Sequence, residues 1–310
     1  MVNESAGVLE EKENASETER ESEARSPQEG APAEALPERP VVVNDARDSL
    51  VPLSLKELVA HRELLYFLTW RDIKVKYKQT AMGAAWAIIQ PLFMMIVFSI
   101  FFGLFMGVPT EGMSFFLFFY SGLLPWTFFS TAIMLGSVSL VNNANLITKV
   151  YFPRIIIPAS VVGAGLVDLL IASVIFAGLA AYHNVSLSPK LLMLPVFFLL
   201  TTLLSLGFGT WLAALTVKYR DVRHALPFVT QIWFFVTPII YPLSVVDERW
   251  RWLMYANPMT GIVEGIRASL VAGRAFNWTG IYISTALTVV ILIGSVYAFR
   301  RIEKSFADLI

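Results

Sequence analysis

Six apolar stretches, at about residues 82–106, 115–141, 156–182, 191–216, 225–243 and 280–299, constrain this chain more than any other feature. Each is close to the roughly 20 residues that a helix needs to cross a hydrocarbon core about 30 Å thick. Inside lipid the backbone has to satisfy its own hydrogen bonds, and for segments of this length only helices do so. With 56 % of its residues hydrophobic, the chain also lies outside the roughly 45–50 % typical of soluble domains. The expected fold is an all-α integral membrane protein with six transmembrane helices, which puts both ends of the spanning domain (residues 81–310) on one side.

Charge indicates which side. The formal net charge of zero hides a division: residues 1–49 carry 13 acids and 5 bases, which leaves 19 bases and 11 acids, an excess of eight bases, in residues 50–310. Lys and Arg are retained in short loops on the cytoplasmic face. They cluster before the first stretch (Arg71, Lys74, Lys76, Lys78), between the second and third (Lys149, Arg154), between the fourth and fifth (Lys218, Arg220, Arg223) and after the sixth (Arg300, Arg301, Lys304), whereas the short opposite loops offer only Lys190. Both termini are therefore expected in the cytoplasm. The acidic segment 1–49 is rich in Glu, Ser, Ala and Pro and poor in aromatics, the composition of a disordered tail, and it has no apolar core like that of a secretory signal.

The basic stretch RDIKVKYKQT, at 71–80, continues an amphipathic pattern over about 53–80. Tyr66, Trp70, Ile73 and Tyr77 recur at helical spacing on one face, while Arg71, Lys74 and Lys78 share another, as in a helix lying in the membrane interface. Residues 244–279 are too long for a simple turn and too amphipathic for a structureless loop. Two short helices separated near Asn257 and Pro258 fit them, either dipping into the outer leaflet or capping the surface with Trp250, Trp252 and Tyr255. In the re-entrant reading Asn257, Pro258, Glu264 and Arg267 are candidates for an outer gate.

Several chemistries are missing. No G-x-x-x-x-G-K-[ST] loop occurs, so nucleotide phosphates are not bound in the P-loop manner. There is no cysteine, and His61, His183 and His224 lie too far apart for a metal-ligand pattern. No cofactor, metal or nucleic-acid partner is expected of this chain, and no catalytic residue is assigned. The acid deepest in a stretch is Asp168, where an isolated charge costs roughly 2.5–3.5 kcal/mol. It is either a polar contact for a substrate or proton, or a hydrogen-bonding partner of a neighbouring helix. Aromatic residues are dense, and Phe98, Phe101, Phe102, Trp126, Trp233, Phe234 and Tyr241 are candidates for rings that stack on sugars. The segment NNANLITKVYFPRIIIP, at 142–158, reads either as a tight turn or as a short surface helix offering Asn145, Leu146, Ile147 and Val150 to a partner.

The stretches LLYFLTWRDIKVKYKQTAMGAAWAIIQPLF, NLITKVYFPRIIIP, KYRDVRHALPFVTQIWFFVTPIIYP and ANPMTGIVEGIR together resemble the permease of the ABC-2 polysaccharide exporters, in order from about residue 60 to 300. The resemblance implies six spans, an N-terminal interfacial helix (residues 50–80), a coupling helix in the first cytoplasmic loop and re-entrant helices before the sixth span. It also implies a homodimer working with two copies of a separate P-loop ATPase, which binds the ATP and Mg, and a lipid-linked polysaccharide as cargo. On this sequence the coupling surface falls on Asn142, Asn145, Leu146, Ile147, Lys149, Val150 and Arg154, together with Arg71, Asp72, Lys74, Lys76 and Tyr77. Two alternatives stay open. One is export of a small amphiphile by the same fold. The other is a membrane transferase acting on a lipid-linked sugar, with Asp168 or Glu264 as base. A proton-driven transporter needs more intramembrane ionisable groups and an internal repeat, and neither is found.

Overall fold

The computed structural model describes residues 60–78, 85–186, 188–271 and 273–303. The acidic segment 1–49, the expected beginnings of the interfacial helix and of the first span, and Lys304 lie outside the described residues. All regular structure among the described residues is helical: α1 (Arg62–Lys78), α2 (Ala85–Phe98), α3 (Phe115–Asn142), α4 (Ala144–Lys149), α5 (Ile156–Tyr182), α6 (Leu194–Lys218), α7 (Val222–Val236), α8 (Glu248–Tyr255), α9 (Pro258–Leu270) and α10 (Trp278–Glu303). A wide π-type segment, Ser99–Phe105, prolongs α2, and a 3₁₀ turn, Pro189–Met193, leads into α6.

Five of the six predicted spans are helices long and apolar enough to cross a membrane: Ile88–Phe105, Phe115–Asn142, Ile156–Tyr182, Pro189–Lys218 and Trp278–Glu303. The fifth stretch is a correction. Its helix, α7, has 15 residues, or about 22 Å at 1.5 Å per residue, and stops at Val236 instead of running to 243. Proline is the physical cause. Pro238 disfavours a helical residue before it, and Thr237 accordingly takes ψ 135°, after which Pro242 keeps the chain from resuming the helix. The pattern of apolar residues continued through Thr237–Tyr241, but these residues form a bent connection whose first four members are buried.

The central helix is α3, in which 61 % of an 18-residue apolar stretch is buried against 17–33 % of such a stretch in the other four. Those four therefore keep broad apolar faces directed outward, as lipid requires. Small residues let the central helices approach closely, since without a hydrophobic force between helices in lipid, close contact does the work. A Cβ on Gly136 of α3 would lie 3.2 Å from the Cα of Gly209 on α6. Ser114 starts α3 by accepting from the Leu117 N–H at 3.3 Å.

The 244–279 segment forms two helices that break at Asn257 and Pro258, as expected, and the two differ in burial. α8 is a surface helix with Trp250 and Trp252 exposed, whereas all thirteen residues of α9 are buried, against α3, α6 and α10. Asn257 caps α9 by accepting from the Met259 N–H at 3.0 Å, and Pro258 sits at the first helical position, where its missing N–H is harmless. Gly261 makes the burial feasible: a Cβ there would meet the carbonyl oxygen of Gly280 at 2.4 Å and the Ser284 hydroxyl at 2.3 Å. Because part of the obstruction is α10 backbone, Gly261→Ala should push the two helices apart. The expected loss is about 1–3 kcal/mol, seen as a lower midpoint of thermal unfolding in detergent.

Candidate functional site

One end of the bundle carries α4, the start of α5, the ends of α3, α6 and α10, and most of the cations. Lys149, Lys218, Arg220, Arg223 and Arg301 are all exposed there. Between α3 and α5 the chain forms a true helix, α4, and not merely a turn. It is held by the buried Ile147, which packs with Leu140, Phe152, Ile155 and Ile156. Of the four residues expected to face a partner, Asn145 and Val150 are exposed, Leu146 is half-buried and Ile147 turns inward as the anchor. Asn142 and Lys149 are exposed, while Arg154 is tied down, its guanidinium donating to the Glu303 carbonyl of α10 at 3.0 Å. Sequence reasoning passed over Tyr151, which is 89 % exposed directly after α4. An aromatic residue just past a helix end, between β-branched and aromatic neighbours, carries no periodic signal that separates an outward ring from an inward one.

Helix α1 is docked on the bundle. Tyr66 and Trp70 are exposed, as an outward stripe requires, but Leu64, Leu65 and Leu68 pack into the apolar cluster beneath α4. Farther along, Asp72 holds Arg71 (2.8 Å) and accepts from Ser160 of α5 at 3.2 Å. The last turn of α1 brings Lys76 and Tyr77 to Asp168, whose carboxylate accepts from both. Asp168 lies twelve residues into α5, about 18 Å from its start. The sequence shows an acid with no base near it in the span. The structure supplies that base from another helix, which favours the interhelical hydrogen-bond reading. Burial, followed by Asp168 as acceptor and as neighbouring charge, pushes the Tyr77 phenol above its ordinary value, so Tyr77 remains a donor. Lys74 is exposed and lies over the Trp70 ring at 5.3 Å.

The aromatic candidates divide. Phe98, Phe102, Trp126, Trp233 and Phe234 join Phe119, Phe129 and Phe208 in one interlocked cluster, with centroids 5.1–6.4 Å apart and mostly edge-to-face. Rings packed in this way fasten α7 to α2, α3 and α6 and have little free face left. Phe101 stands apart, exposed and paired with Phe105, and the Tyr241 hydroxyl donates to the carbonyls of Phe235 and Val236. The exposed rings of α2, its π-type extension and α7 are Trp86, Phe93, Phe101, Phe105, Phe228 and Phe235, of which only Phe101 was among the candidates.

At the opposite end, the gate candidates form a buried polar cluster. Arg267 is fully buried and donates to the carbonyls of Pro238 (2.7 Å), Ile239 (2.7 Å) and Tyr241 (3.3 Å) and to Glu264 (3.2 Å). Its guanidinium lies 3.7 Å from the centre of the Phe118 ring. Glu264 also pairs with Arg274, and Arg274 with Glu111 in the α2–α3 connection. Asn257 accepts from the Trp233 indole (3.0 Å) and donates to Thr237 (2.8 Å). Arg267 and Asn257 thus pin down the backbone where α7 stops. Glu111 and Arg274 sit in loops far apart in sequence, where pattern reading offers no pairing.

The model of the ABC-2 type transporter family matches residues 63–271, from α1 to just beyond α9. The chain is 31 % identical over 256 residues to an O-antigen export system permease protein RfbA of Myxococcus xanthus, an alignment covering 82 % of this chain and 98 % of that protein. An RfbA permease of Klebsiella pneumoniae is 28 % identical over 80 % of this chain and 95 % of its own length. The polysialic acid transport protein KpsM of Escherichia coli is 23 % identical over 76 % and 92 % respectively. The match runs through every helix assigned above from α1 to α9, and the chain belongs to the ABC-2 type transporter family.

Proposed function

We propose that this chain is the membrane-spanning permease of an exporter that carries a lipid-linked cell-surface polysaccharide across the bacterial cytoplasmic membrane. The observation that carries the reading is similarity over nearly the whole length of permeases named for O-antigen and polysialic acid transport. The chain itself is not the motor. Two copies meet about a two-fold axis, each with its own P-loop ATPase subunit holding ATP and Mg, and the basic end with both termini faces the cytoplasm. Exposed cations and the anchored α4 give that end a rigid, positively charged face suited to a protein partner. The outward rings of α2 and α7, brought together across the two copies, line the glycan path, and the Arg267 cluster holds its outer end in shape.

The test is co-purification with the P-loop protein encoded beside this chain, followed by ATPase and export assays. Lys149→Glu and Tyr151→Asp change exposed side chains without touching the packed anchor Ile147. Each should weaken the complex about tenfold, equivalent to about 1.4 kcal/mol, and reduce export in step. Unchanged association in both variants removes α4 from the coupling surface. Turnover of a lipid-linked sugar by the purified chain without ATP overturns the proposal in favour of a transferase. Export of small amphiphiles with no effect on surface glycan supports the other ABC-2 reading.

A further inference from the structure

A cavity of about 730 Å³ lies between α1, α2, α3 and α5, and neither the aromatic path nor the α4 surface accounts for it. This volume falls within the range of small-molecule sites, about 300–1,000 Å³. The cavity is elongated. Its lining runs from Leu124 to Asn143 on α3 and from Val161 to Ala172 on α5, about 28 Å and about 16 Å along the two helices. A slot of this length and volume accommodates an extended alkyl chain at ordinary contact distances of about 4 Å. Its depth along α5 is close to one leaflet, half of a hydrocarbon core of about 30 Å.

The lining is graded. Toward the middle of the spans Leu124, Phe128, Ala132 and Leu169 line it beside Thr127, Thr131 and the Lys76–Asp168 pair, whereas Arg71, Asp72, Asn142 and Asn143 surround the basic end. The charges along the slot are not presented equally. In the Arg71–Asp72 pair the base is 36 % and the acid 22 % exposed, and in the Lys76–Asp168 pair 40 % and 19 %. Each acid also accepts from a hydroxyl, Asp72 from Ser160 and Asp168 from Tyr77, so both acids are engaged by a second donor and the bases are the more exposed members of their pairs. Arg71 uses Nε and Nη2 on Asp72, at 3.0 and 2.8 Å, and Nη1 takes no part in that contact. Basic pockets between transmembrane helices bind anionic lipid headgroups.

We propose that the slot binds one anionic phospholipid of the leaflet at the basic end, with an acyl chain along α3 and α5 and its phosphate against Arg71 and the Asn142 amide. The lipid fills the wedge between α1 and the spans, making it part of the joint through which α1 bears on α5. This inference does not depend on what the permease exports.

The experiment uses the full chain in nanodiscs of phosphatidylcholine containing a small fraction of phosphatidylglycerol with a photoreactive diazirine in its tail. Labelled peptides should concentrate about tenfold on the α3 and α5 walls over the exposed α10 face at Val289, Val290 and Ile293. Leu135→Trp, enlarging a half-exposed wall residue, and Ala164→Phe should each reduce that labelling about fivefold, and the first remains usable where the second fails to fold. Arg71→Gln should reduce it several-fold, and a matching phosphatidylcholine probe should label the slot weakly. Labelling of α10 equal to that of the slot, equal labelling by both probes, or no effect of Leu135→Trp overturns the proposal. So does displacement of the phospholipid probe by a polyprenyl phosphate, which would assign the slot to the carrier of the exported polymer.

Discussion

Arg267→Ala should destabilise the protein by about 3–5 kcal/mol, the range for removing one partner of a buried, hydrogen-bonded charge cluster. No other side chain among the described residues combines full burial with so many polar contacts: three carbonyls, the Glu264 carboxylate and the face of Phe118. Truncation strands the backbone carbonyls of the Pro238–Tyr241 connection, which cannot bond within a helix because α7 has already ended. It also leaves Glu264 with Arg274 alone. Arg267→Lys should recover only a minority of the loss, because an ammonium carries the charge but cannot place two nitrogens on adjacent carbonyls. The measurement is thermal unfolding of the purified complex in detergent. Glu264→Gln serves as comparison and should cost less, since the amide oxygen still accepts from Arg267. A midpoint for Arg267→Ala within a degree or two of wild type sinks the account.

The contrast with the sequence reading lies in what each signal measures. Hydropathy located five spans because length and apolarity are what a bilayer selects, and the short helices α4, α8 and α9 were expected from turn residues, amphipathicity and family resemblance. It extended the fifth span into Thr237–Tyr241 because buried connection and buried helix are equally apolar. Only Pro238 and Pro242 separate them, and those residues mark a break without saying that the helix is not resumed. The site was harder to read. Ile147 and Tyr151 sit four residues apart with similar apolar character, yet one anchors α4 and the other is almost fully exposed, a difference set by tertiary packing. Asp168 read as a lone intramembrane acid because its partners, Lys76 and Tyr77, are about ninety residues away on a helix that periodicity placed in the interface. The aromatic candidates were chosen by abundance, and the structure shows that most of them pack on one another within a single chain.

Asp168 is also where the coupling argument is most exposed to test. Helix α1 meets α5 through Leu68 and its neighbours, through Asp72 and Ser160, and through Lys76 and Tyr77 on Asp168, so it is tied to α5 from the basic end to the middle of the span. Asp168→Ala keeps the leucine contacts that hold the helix in place and removes the polar hook at its far end. Export should fall about tenfold or more, while the permease–ATPase complex still assembles and hydrolyses ATP. A residue serving only stability would lower all three in proportion to the folded protein recovered. Asp168→Asn should be intermediate, because the amide oxygen still accepts from Tyr77 but no longer carries the charge facing Lys76. The double variant Asp168→Asn, Lys76→Met tests the electrostatic part. Breaking one side of a partly buried pair costs more than replacing both, so the second substitution should restore part of the export lost in the first, giving a coupling energy of about 1–3 kcal/mol in a double-mutant cycle. Additive losses mean that Lys76 and Asp168 act separately, and normal export by Asp168→Ala means that force passes from α1 to α5 through the leucines alone.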